Sequence, residues 1–303
     1  MSIRYGVIGT GAIGGFYGGK LAHSGCDVHF LFLSDFQHVQ ENGLRVDSVK
    51  GDFHLQQVAC YSSVQEMPVC DVVLVGLKTI NNHLLPELLR PIVHKDSLVI
   101  LIQNGLGIEA ELAHEMPDIH IAGGMAFICS NKTGPGHISH LDFGRIEMGL
   151  FTPGGTELLQ QCCSDFEKAG VPVIIADNLG MARWKKLIWN IPFNGLTVVL
   201  NTTTDKIMKQ NPTKDLAYEM MQEVIEAAHT CGFEIDRGIA DQMITMTEGM
   251  TPYAPSMKLD FDNNRPMEIQ SIYTNPVQTA QKAGYEMKKV AMLEQQLRFI
   301  SER

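Results

Sequence analysis

The sequence predicts an α/β protein: an N-terminal Rossmann-type doubly wound sheet followed by an all-helical C-terminal domain. Three observations predict it. Apolar strand-like runs alternate with helical patterns through the first half of the chain. A glycine-rich turn, Gly9-Thr10-Gly11-Ala12-Ile13-Gly14, closes the first run and opens a helix. After Asp177 the strands stop and only helical patterns follow.

The elements follow in order. Ile3–Ile8 is a short apolar run ending in glycine, which reads as a parallel strand buried on both faces. A helix pattern runs from Ala12 to Ser24, and Gly25 ends it. Strands are expected at Asp27–Leu33, Val72–Gly76, Leu98–Ile102 and Ile119–Ala126, with a helix over Asn81–Ile92. Gly134-Pro135-Gly136 marks a turn, with short strands His137–Leu141 and Arg145–Met148 after it. A helix over Gly154–Ala169 and a strand at Val171–Ile175 complete the first half. Helices are expected over Leu179–Asn190, Thr213–Gly232, Gln270–Ala283 and Ala291–Ser301. The division is expected at 174/175, with a dinucleotide-binding domain over 1–174 and a helical substrate and catalytic domain over 175–303.

Composition narrows the function. A chain of 303 residues is long enough for two domains at about 150 residues each. With 24 basic against 34 acidic residues, the net charge of −10 argues against a nucleic acid or anionic membrane as partner. The seven cysteines form no CxxC pair, so reduced thiols and a cytoplasmic setting are expected. Met1-Ser2-Ile3 leads directly into the first strand without a secretory leader, and no apolar run is long enough to span a bilayer. His137 and His140 lack a third ligand nearby, so no metal is expected.

The chemistry begins at the glycine turn. Gly9 permits the tight turn, Gly11 admits a pyrophosphate against the backbone, and Gly14 lets helix and strand pack closely. Thr10, Ala12 and Ile13 supply the intervening backbone at the positive end of the helix. The acid that would hold an NAD ribose is expected about 20 residues on. That segment reads Phe32-Leu33-Ser34-Asp35-Phe36: Leu33 stands at the strand end, Asp35 comes two residues late, and no arginine is present for a 2′-phosphate. The loop therefore leaves NAD and NADP both open. Lys78 and Asn104 follow the third and fourth strands, where ligands gather in an open α/β sheet. Lys186, Asn190 and Asn194 are spaced by four and share a helix face if the helix passes Pro192, a residue that removes one donor and kinks a helix. Buried amides and ammonium groups are costly unless satisfied, and lining a binding site would satisfy them.

The ordered series resembles the ketopantoate reductase family over nearly the whole chain. It comprises Gly9–Gly14, Leu77-Lys78, Gln103-Asn104-Gly105, Gly144-Arg145-Ile146-Glu147-Met148-Gly149, Trp184-Lys185-Lys186-Leu187 with Asn190 and Asn194, then Pro255-Ser256-Met257, Asp260, Arg265-Pro266 and Glu268. The resemblance implies reduction of 2-dehydropantoate to pantoate with NADPH, in a cleft between the two domains. It implies Lys186 as general acid and Glu268 as the catalytic carboxylate. It implies Asn104, Asn190, Asn194 and Ser256 as substrate contacts, and Lys78 with Asn104 at the nicotinamide. The expected partner is a small 2-keto acid, and a homodimer is compatible with the reading. Leu33 replaces the arginine usual in the family, which leaves NAD open beside NADP. Tyr253 and Thr204 also depart from the pattern, so a reductase of another 2-keto acid is the alternative, and a catalytically silent nucleotide sensor a more distant one.

Overall fold

The structure, a computed structural model, describes residues 3–250, 252 and 254–302. Met1, Ser2 and Tyr253 lie outside the described residues. The chain divides into two compact units, Met1–Gln103 with Ile108–Leu179, and Asn104–Gly107 with Gly180–Arg303. This division falls a few residues beyond 174/175. Val173–Ile175 still pairs with the sheet, and the Ala176 N–H donates to the Met148 carbonyl.

Among the described residues the first unit holds ten strands: β1 (Arg4–Ile8), β2 (Asp27–Leu31), β3 (Leu44–Ser48), β4 (Phe53–Leu55), β5 (Ala59–Tyr61), β6 (Val72–Val75), β7 (Leu98–Ile102), β8 (His120–Gly134), β9 (His137–Leu150) and β10 (Val173–Ile175). They form one sheet in the order β4-β3-β9-β8-β7-β6-β1-β2-β5, with β10 beside β9. The run β5-β2-β1-β6-β7-β8 is parallel throughout, the arrangement of a doubly wound dinucleotide-binding sheet. Its strands alternate between two cores. Val72 and Leu74 join Tyr5, Val7 and Phe166 in one, while Val73 and Val75 join Ile8, Leu89 and Leu112 in the other. Helices therefore cover both faces, and the strands read as unbroken apolar runs.

Three stretches differ from the sequence expectation for identifiable reasons. The expected helix over Asn81–Ile92 is a 3₁₀ turn, Thr79–Leu84, and a single α-helical turn, Leu85–Leu89. Pro86 starts the latter, and Pro91 stands just past its end. The expected break at Asp142-Phe143-Gly144 is a β-bulge inside a continuous β9. Phe127 pairs with Arg145 and Ile128 with Phe143, so Gly144 is the extra residue, at φ +106°. The helix from Leu179 runs through Pro192 to Val199. Ile188, Ile191, Phe193, Leu196 and Val198 are buried along it, so packing outweighs the donor lost at proline.

The second unit is helical. Leu179–Val199 packs with Asn211–Thr230, Gln270–Thr274 and Lys288–Ser301 around Trp184, Phe193, Val224, Tyr273 and Leu293. The Gln270–Thr274 segment is a π-turn that leads into the Asn275–Lys282 helix. All seven cysteines are free thiols. Among the described residues no helix is long and apolar enough to cross a membrane.

Candidate active site

In the sheet unit the glycine turn joins β1 to the Ala12–His23 helix. At Gly9, φ is +89° and a Cβ would stand 2.3 Å from the Leu77 backbone nitrogen. A Cβ on Gly14 would stand 2.3 Å from the Gly9 carbonyl oxygen. These two glycines are required by the fold itself. Gly11 is different. Its φ is −77°, and a Cβ there would meet nothing within 4 Å. The fold gives no reason for glycine at position 11, whereas a pyrophosphate lying against that backbone does. The helix beyond takes no side-chain cap at its N-terminus. Its first-turn N–H groups, at Ala12 and Ile13 onward, suit an anion. The Thr10 hydroxyl donates to the Leu31 carbonyl (3.1 Å), which fastens the turn to the end of β2.

The loop after β2 carries the residues that left the cofactor choice open. Leu33 is 73% exposed. Asp35 is 4% exposed and faces inward: it accepts from the Gly136 N–H (2.9 Å) and the Ser34 hydroxyl (2.9 Å), and pairs with the Lys132 ammonium (2.5 Å). Burial alone would push its carboxyl up; Lys132, Gly136 and Ser34 more than offset that and hold it below its ordinary value. Asp35 thus ties the tip of the β8–β9 hairpin to the loop. Past the next strand ends, Lys78 precedes the Thr79–Leu84 turn and is half-buried. Gln103 and Asn82 exchange reciprocal amide hydrogen bonds (2.7 and 3.2 Å), and Gln103 also donates to the Leu77 carbonyl (2.8 Å).

The helical unit collects the expected substrate residues. Lys186, Asn190 and Asn194 occupy successive turns of the Leu179–Val199 helix, the lysine half-buried and both asparagines buried. The Asn190 amide donates to Asn104 Oδ1 (3.2 Å). Asn194 Oδ1 accepts from the Met257 N–H (3.1 Å), one residue after Ser256 begins its helix. Glu268 is buried just ahead of the π-turn. That turn holds the asparagine loop: the Leu106 N–H donates to the Ser271 carbonyl (2.9 Å), and a Cβ on Gly105 would fall 2.4 Å from Ser271 Cβ. Asn104, Asn190, Asn194 and Ser256 are thereby joined through one helix, and Glu268 through the π-turn against the same loop. Thr204 is buried at the start of the Thr204–Lys209 helix.

The profile of the ketopantoate reductase PanE/ApbA family matches residues 5–153, and the profile of its C-terminal domain matches residues 178–301. The chain belongs to the ketopantoate reductase family. A 2-dehydropantoate 2-reductase of Nostoc sp. is 46% identical over 99% of this chain and 96% of its own. The crystal structure of 2-dehydropantoate 2-reductase from Geobacter metallireducens is 40% identical, covers 98% of this chain and 99% of that one, and superposes with a TM-score of 0.94. That from Methylococcus capsulatus is 32% identical over 99% and 97%, with a TM-score of 0.92.

Within this ketopantoate reductase fold, several contributions escape sequence reasoning. They are the inward turn of Asp35, the Lys132 partner nearly a hundred residues away, and the cap that Asn194 places on the Ser256 helix. Each is a long-range pairing, and no local spacing announces it. The Gln103–Asn82 amide pair is another.

Proposed function

We propose that this protein reduces 2-dehydropantoate to pantoate with a reduced nicotinamide dinucleotide. The carrying observation is the joined set on the helical unit. Asn190 is hydrogen-bonded to Asn104, and Asn194 caps the turn that begins at Ser256, both from the helix that also bears Lys186. That is the polar lining a small hydroxylated keto acid requires. The 46% identity to a 2-dehydropantoate 2-reductase supports the same substrate.

The dinucleotide supplies the hydride when bound to the glycine turn, where open space at Gly11 accommodates its pyrophosphate. Gly9, Thr10, Gly11, Ala12, Ile13 and Gly14 form its phosphate cradle, and Lys78 and Asn104 are assigned to its nicotinamide end. Lys186 hydrogen-bonds the keto oxygen, stabilises the negative charge that grows there and delivers its proton to that oxygen. Asn190 and Asn104 hold each other's carboxamides in fixed orientation, so that substrate groups meet preset donors and acceptors. Ser256 offers a hydroxyl to the substrate, and Glu268 orients the reacting groups. The family habit is NADPH; the choice between NADPH and NADH rests on the loop after β2.

Replacing Lys186 by alanine tests this assignment. The variant is expected to bind dinucleotide normally and to lose turnover by about 10²–10⁴-fold. Undiminished turnover would remove Lys186 as the acid.

A further inference from the structure

We infer that Asn275 is a positioning residue for the reduction: its carboxamide clamps the Asn104–Gly107 loop to the π-turn and so fixes where the Asn104 carboxamide stands. The inference rests on the functional reading above, in which Asn104 meets substrate and nicotinamide, and deepens it.

The loop has little stiffness of its own. It reads Asn104-Gly105-Leu106-Gly107, and its two glycines have positive φ, +112° and +85°. Glycine on either side of Leu106 leaves the backbone its widest freedom. The Asn190 bond to Asn104 Oδ1, at 3.2 Å, fixes one point of a carboxamide and not the backbone that carries it.

That backbone is held from the π-turn. The Leu106 N–H donates to the Ser271 carbonyl (2.9 Å), and the Leu106 carbonyl accepts from Asn275 Nδ2 (2.7 Å). Two bonds in opposite senses fix both the place of Leu106 and its rotation. A carbonyl only accepts, so the orientation of the Asn275 amide follows: Nδ2 faces Leu106, and Oδ1 accepts from Gln270 Nε2 (2.8 Å). The approach is close, since a Cβ on Gly107 would stand 3.3 Å from Asn275 Nδ2.

The clamp stands on firm ground. Asn275 opens the Asn275–Lys282 helix directly after the π-turn, a form that recurs at functional sites. Beside it the buried Thr274 hydroxyl donates to the buried Glu294 carboxylate and accepts from Arg298 Nη2 (2.6 Å), while Arg298 Nε donates to the same carboxylate (2.9 Å). The Tyr273 hydroxyl donates to the carbonyl of Ile191, the residue after Asn190 (2.9 Å). The turn is thereby pinned to the Lys288–Ser301 and Leu179–Val199 helices, and Asn275 passes that rigidity to the loop. A positioning error of about 1 Å at a reacting centre costs up to roughly 10²-fold in rate.

The test is a double-mutant cycle on kcat/KM for ketopantoate, with saturating NADPH or NADH, whichever wild type oxidises. Asn275→Asp keeps the shape and the acceptor for Gln270 and suits the start of a helix, but turns a carboxylate oxygen on the Leu106 carbonyl. Its melting temperature is expected to stay close to that of wild type, and its kcat/KM to fall about tenfold. Asn104→Ala keeps Lys186 and with it a residual turnover. In that background, adding Asn275→Asp is expected to cost less than about twofold more, because the group it positions is gone. Asn275→Ala, which removes the donor without adding a charge, goes through the same cycle and is expected to show the same coupling. A merely structural role would lower kcat/KM alike in both backgrounds. A tenfold loss repeated in Asn104→Ala would overturn the inference, as would an unchanged kcat/KM in both single Asn275 variants. No turnover of ketopantoate by wild type with either dinucleotide would instead overturn the reading beneath it, and the positioning role with it.

Discussion

The carboxamide oxygen of Asn194 accepts the backbone N–H of Met257 at 3.1 Å. A residue on one helix thereby closes the first turn of another, the Ser256–Asp262 helix, whose own N-cap residue is Pro255 and offers no side-chain acceptor. Asn194 acts on Ser256 through that turn, whatever its own contact with substrate.

Asn194→Ala should therefore cost stability. Both groups of the hydrogen bond are buried, and the variant leaves the Met257 N–H without its acceptor. A loss of about 1–3 kcal/mol is expected from denaturant unfolding. The KM for keto acid should rise as Ser256 loses its fixed position. Stability within a few tenths of a kcal/mol of wild type would show that the cap carries no weight.

The glycine turn separates fold from ligand. Gly14→Ala drives a Cβ against the Gly9 carbonyl, and about 1–3 kcal/mol of destabilisation is expected from the displaced backbone. Gly11→Ala meets open space at an ordinary φ, so its stability should stay within about 0.5 kcal/mol of wild type. Its dinucleotide affinity should nonetheless fall roughly tenfold or more, because the methyl occupies the pyrophosphate's approach. Thermal unfolding and fluorescence titration of the two variants check both halves; equal affinity in Gly11→Ala would contradict the cradle.

What the sequence reveals depends on how local the cause is. The Leu98–Ile102 strand is legible to the residue, because a continuous apolar run can only be buried on both faces. Gly9 and Gly14 are legible because close backbone approach leaves no other residue type. The segment from Leu44 to Tyr61 is not legible. Its strands are three to five residues long, β3 mixes charged with apolar side chains, and β3 and β5 pair with β9 and β2, distant in the chain. Pro192 reads as an interruption, yet the helix passes through it because its neighbours are deep in the core. At the site, the Lys186-Asn190-Asn194 row is visible from its spacing of four. The partners Asn104 and Met257 are not, since they lie 86 and 63 residues away.

His140 predicts an acid-sensitive stability. It is buried on β9, with Nε2–H donating to the Asp142 carbonyl (3.0 Å) and the Ser48 hydroxyl donating to Nδ1 (2.8 Å). Burial lowers its pKa below the ordinary 6.5; the Asp142 carbonyl opposes that shift, and Lys50 and Lys20 add to it. A base with a depressed folded pKa takes its proton first in the unfolded chain. Its contribution is therefore fully present above pH 6.5 and is lost as pH falls from there through the depressed value. The melting temperature of wild type should drop between pH 6.5 and 5 more steeply than that of His140→Gln. Parallel slopes would contradict the assignment.

The most direct test of the central claim is the decay of reduced-nicotinamide absorbance with purified protein and ketopantoate, run with NADH and NADPH, in wild type and Lys186→Ala. The account predicts keto-acid-dependent oxidation of a reduced nicotinamide dinucleotide by wild type. In the variant kcat should fall by about 10²–10⁴-fold while dinucleotide affinity is unchanged. No oxidation with either bound dinucleotide, or full turnover in the variant, would contradict it.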